Sequence, residues 1–195
     1  MNASESSEQE SALVSVARFL DANRLPYMII GGMANAVWGV PRATLDVDVT
    51  VWAPPGPPAE ILRAFDGPFR VLPREPARFV AETRVLPLET PDGVRVDVIF
   101  GLLPFEEEAI RRAVVREVCG QAVRFCTAED LVLLKIASTR PKDREDVRQI
   151  LARQAEALDG EYLDPRVEEL ASLLERPELA EEYRQLRAGR GCRVV

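Results

Sequence analysis

The period of apolar and polar positions changes several times along the chain. Over residues 8–24 the apolar side chains Leu13, Val16, Ala17 and Leu20 recur at three- and four-residue spacing, which predicts an amphipathic helix ended by Pro26. Residues 27–30 form a short apolar run that reads as a buried strand, and Gly31 and Gly32 open a turn into a compact helix over 31–39. At residues 45–51 the period becomes two. Leu45, Val47, Val49 and Val51 share one face, expected to meet the core, while Asp46 and Asp48 share the other.

The stretch 53–58, four prolines around one glycine, is expected to be an exposed connection because proline donates no backbone hydrogen bond. Short helices are predicted over 59–64 and 76–84, on either side of a weak strand at 69–72. Residues 85–100 read as a hairpin, with Pro91, Asp92 and Gly93 supplying the turn. Its second strand alternates again, with Val94, Val96 and Val98 on one face and Arg95 and Asp97 on the other. Beyond it the chain turns mainly helical. A helix over 104–113 precedes a short strand pair at 114–118 and 122–125. Thr127 and Asp130 resemble a capping box with aspartate in place of glutamate, and Pro141 suits the first turn of a helix running to about Arg153. Two more helices are predicted over 164–175 and 177–186, before an arginine-rich tail. No internal repeat is found.

Composition narrows the chemistry. With 195 residues, 47% hydrophobic and 29% charged, the chain can bury an ordinary core as one domain with a helical appendage. It has no histidine, which excludes serine–histidine and cysteine–histidine catalysis and histidine-ligated zinc. Carboxylates, lysine and oxygen-loving metals remain. Cys119, Cys126 and Cys192 show no metal-type spacing and read as free thiols serving as structural filler. The net charge of -7 would repel nucleic acid, so an RNA partner has to meet a local arginine patch. The N-terminus is acidic and polar, unlike a secretory signal, and no apolar run approaches about 18 residues, so no membrane association and a cytoplasmic location are expected.

Several residues carry candidate chemistry. Glycines at 31 and 32 let backbone approach a bound phosphate, and the helix behind them aims N–H groups at that anion. Asp46 and Asp48 either hold a divalent metal or are solvated edge residues. Asp97 offers a third carboxylate on a strand of the same alternating type. Three converging aspartates without a basic partner repel one another, which bound Mg²⁺ relieves. Lys135 stands as an uncompensated cation in an apolar run; it either snorkels to solvent or works in a site. On the first reading Lys135→Met is tolerated outright, and on the second it folds with near-normal stability but loses activity. Asp143 sits near a helix start, where an acid also serves the dipole.

The pattern of apolar strand, Gly31-Gly32, helix and Asp46-x-Asp48 resembles the signature of the polymerase-beta-like nucleotidyltransferase superfamily. The block from Glu129 to Val147, with Lys135, Arg140, Lys142, Asp143 and Asp146, resembles that of AbiEii-type toxins, and the resemblance covers roughly residues 28–151. It implies an α+β fold, a small mixed sheet flanked by helices, with a nucleotidyltransferase core over 1–126 and a helical part over 127–195 packed on it. It further implies transfer of an NMP from an NTP to an acceptor hydroxyl. Asp46, Asp48 and Asp97 would hold Mg²⁺ or Mn²⁺, and Gly31, Gly32, Arg42 and Lys135 would bind the nucleotide. Lys135 and Asp143 would join the three aspartates in catalysis. Gly32 departs from the serine of many relatives, and Asp97 is the least regular position among AbiEii-like members. The acceptor implied is RNA, tRNA foremost, along a track of Arg140, Arg144, Arg148 and Arg153 that equally reads as a solvated helix face. A protein acceptor and a cognate antitoxin are further partners of that reading. The alternatives are an aminoglycoside-like small-molecule acceptor, or a non-catalytic nucleotide-binding or antitoxin-associated module with a decayed site.

Overall fold

The structure is a computed structural model that describes residues 3–42, 44, 46–53, 57 and 59–189. In chain order its elements are α1 (Ala3–Ala22), β1 (Tyr27–Ile29), α2 (Gly31–Trp38), β2 (Asp46–Trp52), α3 (Ala59–Phe65), β3 (Arg70–Val71), α4 (Pro76–Thr83), β4 (Val85–Glu89), β5 (Arg95–Gly101), α5 (Pro104–Arg112), β6 (Val114–Val118), β7 (Gln121–Phe125), α6 (Ala128–Ile136), α7 (Pro141–Arg153), α8 (Gly160–Leu173) and α9 (Glu178–Ala188). The chain forms two compact units, residues 1–34 with 43–126, and residues 35–42 with 127–195. No described helix is long and apolar enough to cross a membrane.

The first unit is built on a mixed seven-stranded sheet in the order β3-β4-β5-β2-β1-β7-β6. Period-two sequence produces its core directly. Val47, Val49 and Val51 of β2 are fully buried, as are Val96 and Val98 of β5 and Leu86 and Leu88 of β4. Each such side chain contributes about 1.5–3 kcal/mol on leaving water. Leu13, Val16, Ala17 and Leu20 of α1 are buried as their spacing predicts, and Phe19 stacks on Phe65 with ring centroids 4.6 Å apart. Leu45 and most of the proline-rich connection lie outside the described residues. β4 and β5 form the expected antiparallel hairpin, closed by Gly93 at φ +82. β2 and β5, by contrast, run parallel, so the chain crosses over through α3, β3, α4 and β4 between them.

The second unit is helical. Thr127 caps α6, its hydroxyl accepting the Asp130 N–H at 3.2 Å and donating to the Asp130 carboxylate at 2.7 Å. The aspartate therefore answers the cap through the hydroxyl, and it takes a second bond from the Tyr162 hydroxyl at 2.7 Å. Pro141 is in the first turn of α7, as expected. α8 starts four residues before the predicted 164, because Asp159 accepts the Tyr162 N–H at 3.0 Å as its cap and Pro165 lies inside the helix. Residues 35–42 are fixed within this unit by Gln154, which donates to the Trp38 carbonyl at 2.9 Å, and by the buried Asn35, which donates to the Val40 carbonyl at 2.9 Å.

Candidate active site

Parallel pairing of β2 with β5 sets Asp48 directly across from Asp97 and Asp46 directly across from Arg95. Registered partners point to the same sheet face, opposite the valine core. The face thus carries a two-by-two square with three acids and one base at its corners. Asp46, Asp48 and Asp97 are half-buried and Arg95 is exposed. The Arg95 Nε donates to Asp97 Oδ1 at 3.1 Å. The sequence expectation of three aspartates without a basic partner is corrected here, since the alternation that exposes Asp97 exposes Arg95 beside it. The row continues outward with Glu89 across from Arg95 and Arg70 across from Glu89. Arg70 gives two bonds to the same Glu89 oxygen, at 3.0 and 2.6 Å.

Beside the square, the Ile30 N–H donates to the Asp48 carbonyl at 3.0 Å, and Gly31 then turns the chain into α2 at φ +63. A Cβ on Gly31 would stand 1.9 Å from Asp48 Oδ2, and one on Gly32 would stand 2.5 Å from Thr44 Oγ1. These close approaches are the physical reason for both glycines. The room above each α-carbon is filled by the chain's own side chains, so a phosphate at this turn would meet backbone N–H groups rather than space left by missing side chains. The Asp48 carboxylate lies against the positive end of α2.

The second unit holds Lys135, Asp143 and Arg42 in one charge network. The Lys135 ammonium donates to Asp143 Oδ1 at 3.1 Å and to Asp146 Oδ2 at 2.6 Å. All three side chains are buried, Lys135 with 5% of its surface exposed. Lys135 is therefore compensated twice over, which corrects its sequence reading as an uncompensated cation. Arg42 forks onto Asp146, with Nε at 3.3 Å from Oδ1 and Nη2 at 3.1 Å from Oδ2. Asp143 also accepts from the Ser138 hydroxyl at 2.7 Å and from Arg140 Nε at 2.6 Å. Burial alone would push the Asp143 carboxyl up, but the Ser138 hydroxyl, the Lys135 ammonium and the Arg140 guanidinium outweigh it and hold it below the ordinary carboxylate range.

Asp146 was given no role from sequence, although it closes the block that starts at Arg140 and its i, i+3 spacing from Asp143 puts both carboxylates on one helix face. Of the expected arginine track, Arg140 pairs with Asp143, Arg144 with Glu182 and Arg148 with Glu145. Those three positions answer acids of their own unit.

A mixed sheet with a Gly-Gly helix start and an Asp-x-Asp strand paired in parallel to a third aspartate is the arrangement that the resemblance to nucleotidyltransferases implies. The chain belongs to the family described as nucleotidyltransferase of unknown function (DUF6036), which matches residues 11–190. No curated protein matches it in sequence. Among solved structures it is similar to an antigenic nucleotidyltransferase-like protein from Paracoccidioides brasiliensis, with TM-score 0.55 and 20% identity over 91% of this chain and 93% of that one. It is also similar to the antibiotic-resistance factor ANT(2″)-Ia, with TM-score 0.50 and 17% identity over 95% and 91%. The lincosamide antibiotic adenylyltransferase LnuA, bound to lincomycin, gives TM-score 0.50 and 11% identity over 73% and 96%. At these identities the likenesses show the nucleotidyltransferase fold.

Proposed function

We propose that the protein transfers an NMP from an NTP to an acceptor hydroxyl, releasing pyrophosphate, with Mg²⁺ or Mn²⁺ at Asp46, Asp48 and Asp97. The observation that carries this reading is the carboxylate square beside the Gly31 turn. Its all-oxygen donors suit a hard divalent cation. Mg²⁺ takes one or two carboxylates and fills its shell with water and substrate phosphate. Among the described residues no group of three or more acidic or thiol side chains is placed to hold an ion by itself, so the aspartates would supply only part of its shell. When bound, the cation neutralises triphosphate charge and acidifies the acceptor hydroxyl.

The chain's own residues do the rest. The acceptor oxygen attacks the α-phosphorus, the bond to the pyrophosphate oxygen breaks, and Asp97 takes the hydroxyl proton. Backbone N–H groups at Gly31 and Gly32 face phosphate. Arg42, one-third exposed at its side chain, is assigned to triphosphate charge. Lys135 and Asp143 replace their expected direct roles with positioning ones, because both are buried on each other and on the Asp146 that holds Arg42.

For the acceptor, the resemblance to AbiEii-type toxins favours an RNA hydroxyl, tRNA first, and with it a toxin role and an antitoxin partner. Fold similarity to LnuA and ANT(2″)-Ia supports a second reading, a small-molecule hydroxyl. The test is incubation of the purified protein with each labelled NTP, Mg²⁺, and total RNA, total protein or an antibiotic panel in separate reactions. Label in RNA supports the first acceptor and label on an antibiotic the second. An unlabelled set across all NTPs, with no NTP-dependent rise in melting temperature, would sink the reading.

A further inference from the structure

We infer that Arg95 is a built-in counter-cation of the carboxylate square, and that its guanidinium, held on Asp97 Oδ1, competes electrostatically with a divalent cation at Asp46, Asp48 and Asp97. The inference rests on the metal reading above. Neighbouring corners of the square are about 4.8 Å apart across strands and about 6.6 Å along them, so a guanidinium and a dication compete for one electrostatic field. Arg95 fills the corner across from Asp46 and holds Asp97 Oδ1 at 3.1 Å. In this arrangement the three aspartates share a face, yet no described group encloses a metal.

The register also gives Arg95 somewhere to go. Glu89 lies directly across on the side away from Asp46, and Arg70 bonds only one of its two oxygens. With 55% of its side chain exposed, Arg95 can exchange Asp97 for Glu89 by rotating its own torsions, without repacking the core. Free protein would therefore hold a dication weakly, with Arg95 occupying the field that Asp46, Asp48 and Asp97 would offer it.

The test is Mn²⁺ affinity, read from loss of the free-ion electron paramagnetic resonance signal, for wild type, Arg95→Gln, Arg95→Met, Asp97→Asn, the Arg95→Gln/Asp97→Asn double variant and Asp46→Ala/Asp48→Ala. Circular dichroism confirms folding, and two neutral substitutions at an exposed position guard against one failing to fold. We expect Arg95→Gln and Arg95→Met to bind Mn²⁺ about fivefold more tightly than wild type at low salt, with the gain shrinking as ionic strength rises. On the Asp97→Asn background the Arg95 substitution should change affinity less than about twofold. Unchanged affinity in both Arg95 variants, with binding still lost in Asp46→Ala/Asp48→Ala, overturns the counter-cation while the metal site stands. No Mn²⁺ binding by any variant, with or without ATP, overturns both.

Discussion

The two units treat charge in opposite ways. In the first, Asp46, Asp48 and Asp97 share a half-exposed sheet face with Arg95, within reach of solvent and of a cation from outside. In the second, Asp143 and Asp146 are buried against Lys135, Arg42 and Arg140, and every carboxylate already has its partners within 3.3 Å. A buried network of this kind is strongly destabilised when one member is removed, because the rest stay charged and out of water. A half-exposed square relaxes into solvent and loses chemistry instead. Stability should therefore track the second cluster and catalysis the first.

The largest break in that comparison should come from Asp46→Ala with Asp48→Ala. Transfer should fall at least about 10⁴-fold, about 5 kcal/mol of transition-state stabilisation, while the denaturation midpoint without ligand barely moves. Loss of the fold in that variant would show the square to be structural. Lys135→Met should do the converse, lowering stability by about 3–5 kcal/mol in urea titrations, against the near-normal stability expected from sequence. If its midpoint matches wild type, the network is not the strut described. Gly31→Ala should cost about 1–3 kcal/mol through its positive φ and also lower transfer, since the new methyl occupies the place of the Asp48 carboxylate. Equal stability and activity would remove that close approach.

Smaller effects sharpen the picture. Ser138→Ala deletes one donor to Asp143 and should cost about 1 kcal/mol. The pH dependence follows from sign. Because Asp143 is held below its ordinary value when folded, its stabilisation is complete above the unfolded value and fades as pH falls through the folded one, below about pH 4. Asp143→Asn should be less stable at neutral pH and should lose less on acidification than wild type, as measured by chemical denaturation at pH 7 and pH 3. An acid limb identical to wild type would assign that loss to other carboxylates.

How far the sequence reached depends on whether an interaction repeats with local period. The aspartate strand, the Gly-Gly turn and the hairpin were legible because alternation and turn chemistry are set within a few residues. Arg95 was visible on the face of Asp97, but its place across from Asp46 depends on a parallel register that no local pattern encodes. Lys135 looked isolated because its partners stand eight and eleven residues later, on the next helix. The start of α8 falls before the predicted 164 because its cap is Asp159 and Pro165 lies inside the helix. Residues 35–42 grouping with the C-terminal helices is likewise a tertiary fact, made by Gln154 and by the Asp146 fork on Arg42.

The parallel pairing of β2 with β5 also bears on the order of assembly. β1 and β2 are close in sequence, so Asp46 and Asp48 can be fixed by an early, local antiparallel pair. Asp97 lies forty-nine positions after Asp48 and reaches its corner only when the long connection through α3, β3, α4 and β4 has closed, with the larger loop entropy that entails. The hairpin of β4 and β5 can form on its own before docking. The carboxylate square thus depends on a long-range pairing, and its third corner is in place only when β5 has docked on β2.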